Sequence, residues 1–295
     1  MTTPPVCDYT DSDYQTSFWD KGDRCYEDTV EAVALKRLLP KQGELLLEIG
    51  AGAGRNTSRY AGFDKVILVD YSSTQLEQAQ ERLGKSDRYK YVAANAYHLP
   101  FMNGLFDCAT MIRTLHHMAD APKALQQTAN VIKNKGVFIL EYANKRNVKA
   151  ILRYFLKRQS WNPFSPEPVE FAELNFDFHP TSIQKWLTDC GYIIERQLTV
   201  SHFRIGLLKR LVPQWILVAL DSLFQFTGNL WQYTPSVFMR TILIGQDQTV
   251  KAGDIFKCPA CGHSPLADTP PKIKCPACGR TWKVENGIYD FRLDQ

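Results

Sequence analysis

The chain has 295 residues, 44% of them hydrophobic, with 35 basic against 31 acidic side chains and a formal net charge of +4. That length suffices for one large domain plus a small one, and the charge is too slight and too even either to name a nucleic-acid partner or to exclude one. The start carries no basic segment followed by an apolar one, and no run reaches the roughly eighteen apolar residues of a membrane span, so a soluble cytoplasmic protein without a transmembrane segment is expected.

Residues 1–24 read as a polar and aromatic N-terminal arm, with Tyr9, Tyr14, Phe18 and Trp19 among acids and threonines. From Tyr26 to Leu39 the residues Val30, Val33, Ala34 and Leu38 follow helical spacing, and Pro40 closes the segment. Leu45 to Ile49 is a short apolar run suited to a buried parallel strand, and Gly50, Gly52 and Gly54 follow it at every second position. Residues without a Cβ let a tight strand-to-helix turn bring bare main chain against a nucleoside. The spacing misses the dinucleotide fingerprint, because its final glycine would fall on Arg55, and Glu48 would repel a pyrophosphate. An acid beside a glycine turn suits a ligand with an ammonium and no phosphate. A second strand, Val66 to Val69, ends on Asp70, whose carboxylate can accept both hydroxyls of a ribose.

These residues resemble class I S-adenosylmethionine-dependent methyltransferases of type 11, over about residues 20–245. The resemblance implies a Rossmann-like α/β fold, a seven-stranded methyltransferase sheet with helices on both faces. It also implies S-adenosylmethionine as cofactor, with Glu48, Gly50, Ala51, Gly52, Gly54 and Asp70 around it and Arg24 and Tyr26 as further contacts from the arm and first helix. Ser72 and Gln75 cap the next helix, so Asp70 and Tyr71 fall at the carboxyl edge of the sheet, with Tyr71 against the adenine. Tyr89 to Ala93 is the third strand. Beyond it Asn95, beside Ala96, offers an amide oxygen where the family usually places an acid for the adenine amino group.

Phe106 to Ile112, the fourth strand, runs into Arg113, Thr114, Leu115, His116 and His117. Arg113 is a further cofactor contact, and His116 or His117 is the candidate general base, since an imidazole titrates near neutrality and adjacent rings point apart. The D/N-P-P-Y/F signature of amino-directed DNA methyltransferases is missing here. Asp120 and Pro122 open another helix, and Val137 to Tyr142 is the fifth strand. Lys145 to Arg158 carries six basic residues and no acid on an amphipathic helix, suited to a membrane surface, a phosphate backbone or plain solvent. Thr181 to Gly191 reads as a helix, Tyr192 to Val200 as strand six and Phe238 to Ile244 as strand seven. The apolar segment Phe203 to Tyr233 between them is an insertion placed to cover an acceptor pocket.

The tail carries two C-P-A-C-G knuckles, Cys258/Cys261 and Cys275/Cys278, separated by thirteen residues. Four thiolates at this spacing fit tetrahedral zinc, and the segment resembles the zinc-ribbon activator subunits of certain tRNA and translation-factor methyltransferases. The expected organisation is an arm at 1–24, a methyltransferase domain at 25–250 with insertions at about 143–180 and 202–236, and a zinc ribbon at 251–295. The methyl acceptor is open. Ribbon and basic helix favour RNA or a translation-related protein, the apolar insertion favours a hydrophobic small molecule, and a peripheral membrane contact fits either. A non-catalytic cofactor-binding scaffold for protein assembly is the alternative of a different class.

Overall fold

The computed structural model describes residues 4–7 and 24–293, so Tyr9, Tyr14, Phe18 and Trp19 of the expected arm lie outside the described residues. Helix α1 (Cys25–Leu38) buries Val30, Ala34, Leu35 and Leu38. The sheet then runs through β1 (Gly43–Ile49), β2 (Phe63–Asp70), β3 (Tyr89–Ala93), β4 (Phe106–Met111) and β5 (Ile132–Ala143), with α2 (Ser73–Leu83) between β2 and β3 and α3 (Ala121–Val131) between β4 and β5. Helix starts are written locally: Ser72 accepts the Gln75 N–H at 3.3 Å and Asp120 the Lys123 N–H at 3.0 Å, each satisfying an orphan donor of the first turn. The expected helix after the glycine turn is replaced by a single 3-10 turn, Thr57–Arg59.

Two insertions interrupt the second half. The first holds α4 (Val148–Phe155) and a hairpin of β6 (Val169–Ala172) and β7 (Asn175–Asp177). After α5 (Pro180–Asp189) and β8 (Tyr192–Val200), the second holds α6 (Gly206–Leu211), α7 (Gln214–Phe224) and a 3-10 turn, before β9 (Ser236–Leu243). The tail supplies β10 (Lys272–Lys274), β11 (Thr281–Glu285) and β12 (Ile288–Asp290).

The strand order is β10-β11-β12-β3-β2-β1-β4-β5-β9-β8, and β1 pairs in parallel with β2 on one side and β4 on the other. Strand order reverses at β1, which opens a crevice beyond the carboxyl ends of β1 and β4, where ligands of open α/β sheets bind. Leu46 and Leu47, neighbours on β1, enter opposite cores: Leu46 joins Val30, Leu68 and Ala79, while Leu47 joins Ile67, Leu125 and Ile183. Alternation along a strand thus covers both faces with helices, as parallel sheets require. Strand β9 runs antiparallel to both β5 and β8.

The sheet has ten strands where seven were expected, because the tail adds itself to the β3 edge. β12 pairs in parallel with β3, Tyr289 opposite Val92, and the Phe291 N–H reaches the Ala93 carbonyl at 2.8 Å. Phe256 stacks on Phe101 at 6.0 Å and lies 4.9 Å from the Phe291 ring, so the tail shares the core of the main sheet instead of standing apart. An edge strand's unpaired N–H and C=O groups are covered in cis.

Candidate active site

At the crevice, the turn after β1 folds back on Asp70 at the end of β2. Asp70 accepts the Gly52 N–H at 2.8 Å and the Ser72 N–H at 3.0 Å, one on each carboxylate oxygen, and so ties the turn to the start of α2. Gly50 sits at φ +70°, and a Cβ there would fall 2.1 Å from Thr114 Oγ1, so only glycine lets the loop after β4 close against the turn. Around this point one cavity is lined by Gly50, Ala51, Gly52, Asp70, Tyr71, Asn95, Ala96, Arg113 and His117 among others. Eight of the residues expected to touch the cofactor, and one of the two histidines, are therefore brought together.

Five expected residues are elsewhere. Tyr26 donates to Asp221 at 2.6 Å and accepts the Phe203 N–H at 3.1 Å, which pins α1 to the second insertion instead of reaching the cavity. Glu48 is buried beneath the turn, where it accepts from Thr57 at 2.6 Å and Tyr60 at 3.2 Å, and burial pushes its carboxyl up to about 7. Gly54 serves packing: a Cβ on it would stand 2.9 Å from Leu83 of α2. His116 does not line the cavity, and burial together with His117 and Arg113 pushes its imidazole well below its usual range. Arg24 pairs with Glu27 at 3.6 Å and is likewise not among the lining residues.

His117 carries the better geometry. Its Nδ1 lies 3.1 Å from the Leu174 carbonyl in the β6–β7 hairpin, a contact that requires Nδ1–H and leaves Nε2 as the basic nitrogen of the neutral ring. Burial lowers its pKa, which keeps the ring neutral. Asn95 spends its amide oxygen on the Tyr97 N–H at 2.9 Å, and a carbonyl oxygen has a second lone pair for a ligand. Arg113 donates its Nε to Glu31 at 2.8 Å and its backbone N–H to Glu141 at 2.9 Å. Burial drives the Glu31 carboxyl up, but Arg113 and Arg55 on either side outweigh it and hold that carboxyl below its usual range. Helix α1 thus clamps the glycine turn and the β4 loop through one buried ion-pair network.

Sequence reasoning missed Thr114, Val6, Cys7 and Met118 in the lining; Val6 and Met118 pair in an isolated antiparallel β-bridge. Thr114 carries no motif, and Val6 sits in the arm far from any signal.

A second cavity of about 880 Å³ lies between the two insertions, lined on one side by Val148, Leu152 and Leu156 and on the other by Ile205, Phe224 and Trp231. The β6–β7 hairpin links the two cavities: Leu174 bonds His117 of the first, and Asp177 lines the second. Burial, reinforced by Glu141, pushes the Asp177 carboxyl up to about 6.

In the tail, the sulfurs of Cys258, Cys261, Cys275 and Cys278 lie within 4.8 Å of one another, with Cys258 to Cys278 at 3.8 Å and Cys261 to Cys275 at 3.6 Å. Four ligands at about 2.3 Å around a tetrahedral zinc stand about 3.8 Å apart, so the set fits that ion. The two knuckles match: the Gly262 N–H reaches the Cys258 carbonyl at 2.8 Å and the Gly279 N–H reaches that of Cys275 at 2.9 Å. Cys25, Cys108 and Cys190 form no disulfide.

The parallel sheet, its crevice at the order reversal and the acid-tethered glycine turn have the fold of class I S-adenosylmethionine-dependent methyltransferases. Residues 47–140 match the family described as Methyltransferase domain, type 11. The chain is 31% identical over 144 residues to an O-methyltransferase of Penicillium expansum, covering 45% of this chain and 51% of the relative. It is 29% identical over 160 residues to a demethylmenaquinone methyltransferase of Clavibacter sepedonicus, covering 54% and 63%. The chain thus spans about half to two-thirds of the length of these curated relatives. Among solved structures, a chain of the complex between the Haloferax volcanii Trm112 methyltransferase activator and a methyltransferase superposes with a TM-score of 0.55 at 15% identity, over 79% of this chain and 96% of that one, a likeness of fold alone.

Proposed function

We propose that this chain transfers the methyl group of S-adenosylmethionine to an apolar small molecule seated in the cavity between the insertions. Asp70 accepts the ribose hydroxyls, Tyr71, Asn95 and Ala96 flank the adenine, and the backbone from Gly50 to Gly52 lies under the amino-acid part, with Arg113 at its far side. Held by these residues, the cofactor would supply an electrophilic methyl group on a sulfonium, the thioether leaving with the S–C electron pair as the acceptor bonds to carbon. The chain's own work is to align the acceptor and, where the acceptor carries a proton, to take it on His117 Nε2. Cys258, Cys261, Cys275 and Cys278 hold one zinc ion, whose work is structural.

The observation that carries the acceptor class is the 880 Å³ cavity with its apolar lining, joined to His117 through the Leu174 to Asp177 hairpin. Its size suits a small molecule. The relatives whose names specify demethylmenaquinone or O-methyl transfer support the same class, against the preference for RNA or a translation-related protein that tail and basic helix suggest. Incubation with methyl-labelled cofactor and separate lipid, RNA and protein extracts tests it. Label is expected in the organic-soluble fraction; label in RNA or protein overturns the reading, and label in none favours the scaffold.

A further inference from the structure

Helix α4 has its apolar stripe on the wrong side for a globular protein. Val148, Leu152 and Phe155, with Leu156 just beyond, recur at the spacing of one helix face, and their exposures run from 53% to 69%, whereas Ala150 is the helix's buried residue. Across the mouth of the second cavity Ile205 and Trp231 are 54% and 52% exposed, so both insertions turn large apolar side chains outward around one opening. Apolar surface gathered in this way marks an interaction face.

Its charge selects the occupant. Lys149, Arg153, Lys157 and Arg158 are exposed on or beside the same helix, while Lys145 is buried and donates to the Ser165 carbonyl at 3.0 Å. No acid occurs between Lys145 and Arg158. The acid of the second insertion, Asp221, is buried and bonded to Tyr26 and His202. We infer that this face docks on an anionic lipid bilayer, the apolar stripe entering the acyl boundary and the basic heads meeting lipid phosphates. Long Lys and Arg stems beside exposed leucines suit that layering, since each stem lies along apolar surface while its charge stays in the headgroup region. No helix among the described residues is long and apolar enough to cross a membrane, so the contact is peripheral. The opening of the second cavity lies within the docked face.

The full chain, with neither methyl donor nor acceptor added, is floated with phosphatidylcholine vesicles and with vesicles in which roughly a third of the lipid is phosphatidylglycerol. Binding stands or falls here independently of the acceptor reading. At least about tenfold stronger binding to the anionic vesicles is expected, weakening as salt rises. Leu152→Glu with Leu156→Glu removes binding to both vesicle types, and Lys149→Glu with Arg153→Glu removes the anionic preference. All four positions are exposed, and circular dichroism verifies that both doubles are folded. Failure to float with either vesicle overturns the proposal, as does equal binding that Lys149→Glu with Arg153→Glu leaves unchanged. A dimer in vesicle-free solution that Leu152→Glu with Leu156→Glu dissociates assigns the face to a second copy instead and equally overturns it.

Discussion

The two cavities are built by opposite means. The first is floored by the main chain of the glycine turn and held by contacts between strand ends that neighbour one another in the sheet: Asp70 to the Gly52 amide, Thr114 to the Ile49 carbonyl at 3.2 Å, Arg113 to Glu141. The second is mostly side chains on two insertions brought together from residues 147–177 and 199–235, and its wall is exposed on its outer side. A backbone site tolerates little and recognises a fixed ligand, whereas a wall of exposed leucines and aromatics can be repacked around different apolar acceptors.

The sharpest way to break that contrast is one substitution on each side. Gly50→Ala forces an L-residue to φ +70° with its Cβ 2.1 Å from Thr114 Oγ1. Backbone strain and overpacking together cost about 2–5 kcal/mol, seen as a fall in denaturant midpoint and at least a tenfold loss of cofactor affinity. Leu152→Ala, exposed on the other wall, stays within about 0.5 kcal/mol of wild type in stability and binds the methyl donor as before. Equal losses in calorimetry and urea melts for both variants erase the distinction.

What was legible in the sequence follows the same division. The glycine turn, Asp70 and the four cysteines are visible because their chemistry is set by spacing over a few residues, and the α/β class follows from alternation of apolar runs with capped helices. The place of Tyr26 is not legible because its partner, Asp221, is 195 residues away, and nothing local distinguishes a tyrosine that meets a cofactor from one that meets a buried acid. Gly54 looked like part of the ligand turn, yet its neighbour is Leu83 of the following helix. The tail strands escaped notice because they are three to five residues long and acquire meaning only against the open β3 edge. In α4 the pattern gave the helix but not which face would be covered, since that depends on where the second insertion goes.

Glu48 sharpens the comparison from beneath the first cavity. Its carboxyl stands at about 7 in the fold against 4.5 ordinarily, because burial outweighs the hydrogen bonds from Thr57 and Tyr60 and the charges of Arg55 and Arg59. The folded state therefore holds a proton that the unfolded chain has released between those values. The stabilisation from this group is complete below pH 4.5 and is lost as pH rises through 7, a swing of about 3 kcal/mol. Glu48→Gln, which cannot ionise, should flatten urea-melt stability between about pH 5 and 8 and be relatively more stable than wild type at the alkaline end. An unchanged slope in the variant shows that Glu48 is not the titrating group.

The smallest expected effect joins the first cavity to the tail. Arg292, just past β12, is held by Asp290 at 2.6 Å and donates to the Tyr71 carbonyl at 3.3 Å, with its guanidinium 5.7 Å from the Tyr71 ring. Tyr71 lines the cavity, so a tail that comes off β3 loosens one wall of the cofactor site without touching its floor. The zinc proposed at the four cysteines would brace a tail whose Phe256, Trp282 and Phe291 also pack into the main core. Chelation or Cys275→Ser should raise amide exchange at Phe291 and along β12 and weaken methyl-donor binding about three- to tenfold, close to 1 kcal/mol. Arg292→Ala separates the two links, since it should reproduce the affinity loss while the protein keeps its zinc. If chelated protein binds the donor as tightly as before and Phe291 stays protected, the tail is held by its contacts with Phe101 and β3 alone, and the ion at the four cysteines has no part in the site.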